Sequence, residues 1–571
     1  MQSLLSIENL SVEFTTTAGT ITATQGISLQ VGRGEILAIV GESGSGKSVT
    51  SLSILQLLQS PPARYAGGKI LFYDNGGEIN LLQCPAKQLE QIRGNRIAMI
   101  FQEPMSSLNP VKTCGSQVSE ALLLHKHITP RAAKQAALKL FEEVKLPNPG
   151  AIYNRYPHQL SGGQKQRVMI AMAMSCNPAL LICDEPTTAL DVTVQKSILH
   201  LIKKLQQQNN MGVIFISHDL GVVAEIADTV AVMYKGQIAE QGKCSDILNN
   251  PRHIYTKALL ACRPALHSRG ERLPVVSDFL NAGEKRADAS RVLYDAGPQE
   301  LPKEVTKTSP LLSVERLQVF YPAKTSFLGK VTAYTKAVNN VSFNVMRGEI
   351  LGLVGESGCG KTTLGRAVLG LLKPQAGRII FNGVDVTSAS HQTWKALRKD
   401  MQIIFQDPFS SLNPRKTIGA AIAEPLKVHK IYSTKRQRKE KVIELLEKTG
   451  LAADHFNRYP HEFSGGQRQR IVIARALALA PSFIICDESV SALDVSVQAQ
   501  VLNLLNDLKK TFGFTAIFIS HDLSVIRYMS DRIAVMHNGA IEETGDTEAL
   551  YNSPQTVYTK QLIESMPRLG R

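Results

Sequence analysis

No stretch of this chain is apolar for long enough to cross a bilayer. The most hydrophobic region, Val168 to Cys183, is interrupted by Ser175, Asn177 and Pro178 and falls short of the roughly 20 apolar residues a spanning helix needs. The N-terminus lacks a basic region followed by an apolar core, so no export signal is expected. Eight cysteines are scattered without a Cys-x-x-Cys pair or zinc spacing, which speaks against a disulfide framework or a metal cluster and for reduced thiols. The formal net charge is +15, yet the basic residues are spread along the chain rather than gathered into an arm or stripe. A nucleic-acid partner is therefore not expected, and the surplus reads as a solvated or anionic-membrane-facing surface. With 571 residues, 43% of them hydrophobic, the chain exceeds a single core.

An internal repeat shows how that length is used. Gly41-Glu42-Ser43-Gly44-Ser45-Gly46-Lys47-Ser48 follows the apolar run Glu35 to Val40 and opens a helical pattern, and Gly355-Glu356-Ser357-Gly358-Cys359-Gly360-Lys361-Thr362 follows Glu349 to Val354 in the same way. Glycines at this spacing let successive N–H groups and a helix N-terminus face phosphate oxygens, while the lysine reaches the β and γ phosphates and the hydroxyl ligates Mg²⁺. Two such loops in the same strand-to-helix context are not a chance match. Cys359 stands where the first loop has Ser45. It is either a small residue tolerated where backbone N–H groups bind, or a thiol acidified by the helix N-terminus and open to alkylation.

Leu4 to Phe14 and Leu311 to Tyr321 are near copies with strand-like alternation. Their register matches Phe14 with Tyr321, rings that either stack on adenine or cap a sheet edge. Beyond each phosphate loop a strand ends in a glutamine, Gln102 or Gln406, a residue able to touch Mg²⁺ and attacking water. The first half carries extra residues here, around Tyr73 to Gln83. Glu103 to Pro110 is echoed by Asp407 to Pro414, and both lead into stretches rich in Ala, Lys, Glu and Leu that predict a helical subdomain. Each ends in a glycine turn, Ser161-Gly162-Gly163-Gln164 or Ser464-Gly465-Gly466-Gln467, which can bind phosphate or simply cap a helix.

Apolar strands then end in acid pairs, Asp184-Glu185 and Asp487-Glu488. The first acid can hold the Mg²⁺ shell and the second can polarise water for in-line attack on the γ-phosphate. Buried strand-end carboxylates without such a task would be costly. Asp191 and Asp494 follow, and identical Ile-Phe-Ile-Ser-His-Asp hexapeptides place His218 and His521 at further strand ends, where they can contact the γ-phosphate and position water. Between Cys262 and Pro310 the periodicity gives way to Arg, Glu, Lys, Asp, Pro and Gly, the composition of a linker.

These motifs, in this order and found twice, resemble the ATP-binding cassette ATPases over nearly all of the chain outside the linker. The resemblance implies an α/β fold of two P-loop NTPase (RecA-like) domains in tandem, each with an antiparallel β subdomain and a helical subdomain. The first cassette would span residues 1–262 with its helical subdomain at 103–175, the linker 263–310, and the second cassette 311–571 with its helical subdomain at 407–478. Walker A then falls on Lys47 and Lys361, the Q-loop on Gln102 and Gln406, and the signature on Ser161 and Ser464. Walker B falls on Asp184 and Asp487, with Glu185 and Glu488 as catalytic glutamates. The D-loop falls on Asp191 and Asp494, and the switch histidines are His218 and His521. ATP and Mg²⁺ are the implied ligands, each ATP lying in this family between the Walker motifs of one cassette and the signature of the other.

The Ser-Ser-Leu-Asn-Pro segments, the Tyr-Pro-His turns and the tails Pro251 to Lys257 and Pro554 to Lys560 resemble the peptide/nickel group of ABC importers. The fused layout is similar to ATPases of peptide and microcin C importers, with a glutathione-importer ATPase as the alternative. That implies two integral membrane permease subunits and a periplasmic peptide-binding protein as partners, at the cytoplasmic face of a bacterial inner membrane. Some relatives carry a tail cysteine cluster that binds an iron–sulfur centre. Here Cys262 stands alone and the second tail has no cysteine, so no such centre is expected. Ser489-Val490 replaces the usual Pro-Thr after the second catalytic glutamate, altering a turn but leaving Asp487 and Glu488 in place. A soluble tandem cassette protein acting on ribosomes is the reading from another class, and the mixed-sign, proline-bearing linker argues against it.

Overall fold

The computed structural model describes the chain apart from residues 1–2, 17–18, 75–76, 103–106, 189, 284–308, 326–330 and 567–571. It divides into two compact units, Met1–Leu190 with Val194–Leu260, and Ala261–Met566 with Asp191–Thr193.

In the first unit, three strands are buried at every residue: Ile36–Val40, Leu180–Asp184 and Gly212–Ser217. A strand covered on both faces reads as a continuous apolar run, and such strands pair in parallel with helices on both sides. They form the middle of a six-stranded sheet with the spatial order Gln237–Lys243, Thr229–Tyr234, Ile36–Val40, Gly212–Ser217, Leu180–Asp184, Ile97–Ile100. Only the edge strand Gln237–Lys243 runs antiparallel to its neighbour. The phosphate loop, the acid pair and the histidine each follow one of the three central strands, so parallel pairing brings them together at the carboxyl end of the sheet.

A four-stranded antiparallel sheet lies beside it, in the order Gly19–Gly32, Ser3–Thr16, Ala63–Asp74, Gly77–Asn80. Leu4, Ile7 and Ile27 from this sheet share one core with Leu37, Ile39, Ile182 and Ile216. A second core joins the central sheet to helices Cys114–Lys126, Pro130–Glu143 and Gly162–Met174, through Val118, Phe141, Val168 and Ile170 against Leu181, Val213 and Phe215.

The second unit repeats this plan. Its six strands run Met401–Ile404, Phe483–Asp487, Thr515–Ile519, Ile350–Val354, Arg532–His537, Ala540–Asp546, and its four Val331–Met346, Pro310–Thr325, Ala376–Phe381, Val384–Asp385. The extra residues of the first half form the strand Gly77–Asn80 and the turn Leu81–Gln83, where the second half has only the two-residue strand Val384–Asp385.

Part of the stretch read as linker is ordered within the second unit. It carries a short 3-10 turn at Pro264–Leu266 and a helix at Val276–Gly283. Leu273 and Asn503 exchange two hydrogen bonds, Leu273 N–H to Oδ1 at 2.9 Å and Asn503 Nδ2 to the Leu273 carbonyl at 2.8 Å. Tyr528 donates to the Glu271 carbonyl at 2.7 Å, and Arg269 pairs with Asp531. Isolated apolar residues, Leu273, Val276 and Phe279, do the packing, which is why no helical periodicity marks it. Residues 284–308 of the linker and residues 103–106 lie outside the described residues.

Candidate nucleotide site

The phosphate loop leaves its strand through Gly41, at φ 154°, where a Cβ would lie 2.3 Å from the Met233 carbonyl oxygen. Gly46 caps the following helix in the left-handed region, where a Cβ would stand 2.7 Å from the Ala23 carbonyl. Lys47 is buried, and its ammonium donates to the carbonyls of Gly41 at 2.7 Å and Glu42 at 2.9 Å, folding the side chain across the mouth of the loop. Lys361 does the same with Gly355 and Glu356, at 2.7 and 2.9 Å. Ser45 Oγ is buried without a protein partner, so the first cradle offers a polar atom in a place shaped for phosphate oxygens.

Ser48 donates to Asp184 Oδ1 at 3.2 Å, and Thr362 to Asp487 Oδ1 at 3.0 Å. One hydroxyl and one carboxylate per site suit Mg²⁺, which is held by one or two carboxylates together with phosphate and water. When bound, Mg²⁺ neutralises charge on the β and γ phosphate oxygens. Burial pushes the Asp184 carboxyl up to about 6, against the lowering pull of Ser48, and Asp487 is raised in the same way.

Glu185 and Glu488 both take φ 47°, a left-handed turn directly after the strand that swings each carboxylate away from the buried run. Three donors meet Glu185 Oε2: Gln102 Nε2 at 3.1 Å, Thr188 Oγ1 at 3.0 Å and His218 Nδ1 at 3.2 Å. Burial alone would raise Glu185, but His218, Lys47 and Thr188 outweigh it and hold the carboxyl down to about 2. In the second unit Gln406 Nε2 lies 2.7 Å and His521 Nδ1 3.4 Å from Glu488 Oε2. Ser491 bonds the Glu488 backbone carbonyl instead of the side chain. Glu488 is nevertheless held below the usual range, since His521 and Lys361 outweigh its burial. His521, which burial alone would lower, is raised by the Glu488 carboxylate. The arrangement keeps an ionised carboxylate beside an imidazole and a carboxamide, able to accept a proton from water and orient it.

The structure thus brings lysine, hydroxyl, glutamine, acid pair and histidine together in each unit. Ser161 and Ser464 instead cap their own helices: each side chain accepts from the N–H of Gln164 or Gln467, which returns the bond, a closed capping box. Gly162, Gly163, Gly465 and Gly466 form the first turns. Asp191 Oδ1 accepts from Thr193 at 2.8 Å, and Asp494 begins the helix Val495–Phe512. Phe14 packs on the core under the antiparallel sheet, while Tyr321 is 40% exposed.

Cys359 does not fit the acidified-thiol reading. It is 7% exposed, and burial pushes its thiol up despite Lys361 nearby. Sequence reasoning also missed Thr188, and missed Tyr255 and Tyr558, whose hydroxyls accept hydrogen bonds from Glu42 N–H and Glu356 N–H at 3.1 Å. Both tyrosines sit in the quoted tail motifs, at the same 303-residue offset as Ser161 and Ser464, and that shared offset was the available signal.

The ABC transporter family model matches residues 24–188 and 338–491. The chain belongs to the ABC transporter family. Its two ATP-binding cassettes are ATPase domains, in the tandem α/β arrangement that the repeated motifs imply. The C-terminal region of oligopeptide/dipeptide transporters matches residues 239–280 and 543–571, both tails included. This ABC chain is 49% identical over 571 residues to the glutathione import ATP-binding proteins GsiA of Shigella sonnei and Escherichia coli K12, covering 99% of itself and 90% of each. GsiA of Salmonella paratyphi A is 48% identical over 568 residues, with the same coverage. Among solved structures, the dimeric ATP-binding cassette MJ0796 bound to ADP and phosphate is 27% identical, with TM-score 0.38 over 41% of this chain and 98% of that one. No helix among the described residues is long and apolar enough to cross a membrane.

Proposed function

We propose that this chain is the ATP-hydrolysing subunit of an importer for short peptides, working at the cytoplasmic face of the inner membrane with two separate permease subunits and a periplasmic binding protein. The observation that carries the reading is the oligopeptide/dipeptide transporter C-terminal region, matched once in each half behind a complete set of ATPase motifs. Lys47 and Lys361 hold the phosphates, Ser48, Asp184, Thr362 and Asp487 hold Mg²⁺ with Gln102 and Gln406, and Glu185 and Glu488 activate water beside His218 and His521. For cargo, the relatives named for glutathione import favour that tripeptide over a microcin C-like peptide.

A groove of about 370 Å³ in the second unit, lined by Leu371, Trp394, Arg398, Phe405, Pro425 and His429, supports the permease reading. Phe405 precedes Gln406, so a permease segment seated there would bear on the residue that bonds Glu488. The test is affinity capture of tagged chain from gently solubilised membranes, with mass spectrometry of what accompanies it and uptake of labelled glutathione in a deletion strain. Two permease subunits, a peptide-binding protein and lost uptake are expected. Ribosomal proteins without a permease would overturn the reading.

A further inference from the structure

The tail motifs have no role in the chemistry above, yet each places one hydroxyl on a phosphate loop. Tyr255, fully buried in the helix Ile254–Ala261, accepts the Glu42 N–H at 3.1 Å, and Tyr558, in the helix Val557–Glu564, accepts the Glu356 N–H at the same distance. Glu42 N–H and the Gly41 carbonyl belong to one peptide unit. That carbonyl takes the ammonium of Lys47 at 2.7 Å, and the Gly355 carbonyl takes that of Lys361 at 2.7 Å. One peptide is therefore gripped at both ends, by the phosphate lysine and by the tail tyrosine.

The tyrosine is itself held from two sides. Its ring packs on the strand beside the loop, Tyr255 on Tyr234 with centroids 4.3 Å apart and Tyr558 on His537 at 4.0 Å. Its helix is fixed at the start by a carboxylate: Glu240 accepts from Arg252 N–H at 2.7 Å and His253 N–H at 3.1 Å, and Glu543 from Gln555 N–H at 2.9 Å and Thr556 N–H at 3.1 Å. Gly41 and Gly355 precede the gripped peptide in a positive-φ conformation with little steric restraint of their own, so its orientation depends on what bonds it.

We propose that Tyr255 and Tyr558 are positioning residues for ATP binding, fixing the peptide that sets the starting point of Lys47 and Lys361. The tail region thereby acts on the nucleotide site of its own cassette through a single hydroxyl. Removing that hydroxyl takes one acceptor from a half-buried peptide and loosens its hold, which costs nucleotide affinity more than fold.

The test uses the full chain with Tyr255→Phe and Tyr558→Phe, which keep the ring. Titration with a fluorescent ATP analogue is expected to show one class of sites weakened by about tenfold in each variant. KM for ATP should rise while kcat at saturating ATP and the melting temperature stay close to wild type. A lowered melting temperature with unchanged affinity would reduce the tyrosines to structural residues and overturn the proposal. Hydrogen exchange on the wild-type chain needs no variant: the Glu42 and Glu356 amides should be protected before ATP is added, and rapid exchange there would overturn it equally.

Discussion

Gln102 Nε2 donates to Glu185 Oε2 across 3.1 Å, so the glutamine closing one strand is joined to the carboxylate that follows another. In the second cassette the corresponding pair is tighter, 2.7 Å between Gln406 and Glu488, and there no threonine hydroxyl shares the load. Losing the glutamine should therefore matter more at the second site. Gln102→Ala is expected to cost about 1 kcal/mol, roughly fivefold in turnover, and Gln406→Ala about 2 kcal/mol, roughly thirtyfold. Steady-state ATPase assays, each with the other site silenced, check the order.

Asp531 ties the segment after Ala261 to the second cassette and also accepts the Ile350 N–H, at 2.8 Å, at the start of the strand that leads to the phosphate loop. Burial would raise it, but Lys509, the Ile350 N–H and Arg269 hold it below the usual carboxylate range. A depressed folded-state pKa gives stability that is present above the unfolded value, about 3.9, and lost as pH falls through the lower folded value. Because Arg269 is partly exposed, Asp531→Asn is expected to cost about 1 to 2 kcal/mol at pH 7, with the gap to wild type closing below about pH 4. Denaturant titrations across that range measure both.

Cys84 is the half-exposed thiol and Cys359 is buried; burial raises both thiols, so access sets which reacts first. N-ethylmaleimide at pH 7 is expected to label Cys84 first and Cys359 only after unfolding, read by peptide mass spectrometry. Labelling of Cys359 in the native chain would contradict the buried geometry.

The chemistry was legible because each motif closes an apolar, strand-like run, and the resemblance to the cassette family implied the fold that gathers Lys47, Asp184 and His218; the parallel pairing itself is seen only in the structure. Repetition removed the ambiguity of any single motif. The grip of Tyr255 on Glu42 was not legible, since it joins residues 213 apart and a tyrosine in a short helix carries no sign of what its hydroxyl meets. The two readings of Cys359 stayed open because a helix N-terminus argues for a lowered pKa, and sequence does not show that burial outweighs it. Residues 264–279 looked like linker because a few isolated apolar anchors leave no period to read.

The central claim is that both cassettes hydrolyse ATP, each through the glutamate after its acid-ended strand. The most direct measurement is ATP turnover of the purified chain carrying Glu185→Gln, Glu488→Gln, or both. The account predicts a fall of at least about tenfold in each single variant and background turnover in the double. Near-wild-type turnover in either single variant would show that its site is not hydrolytic.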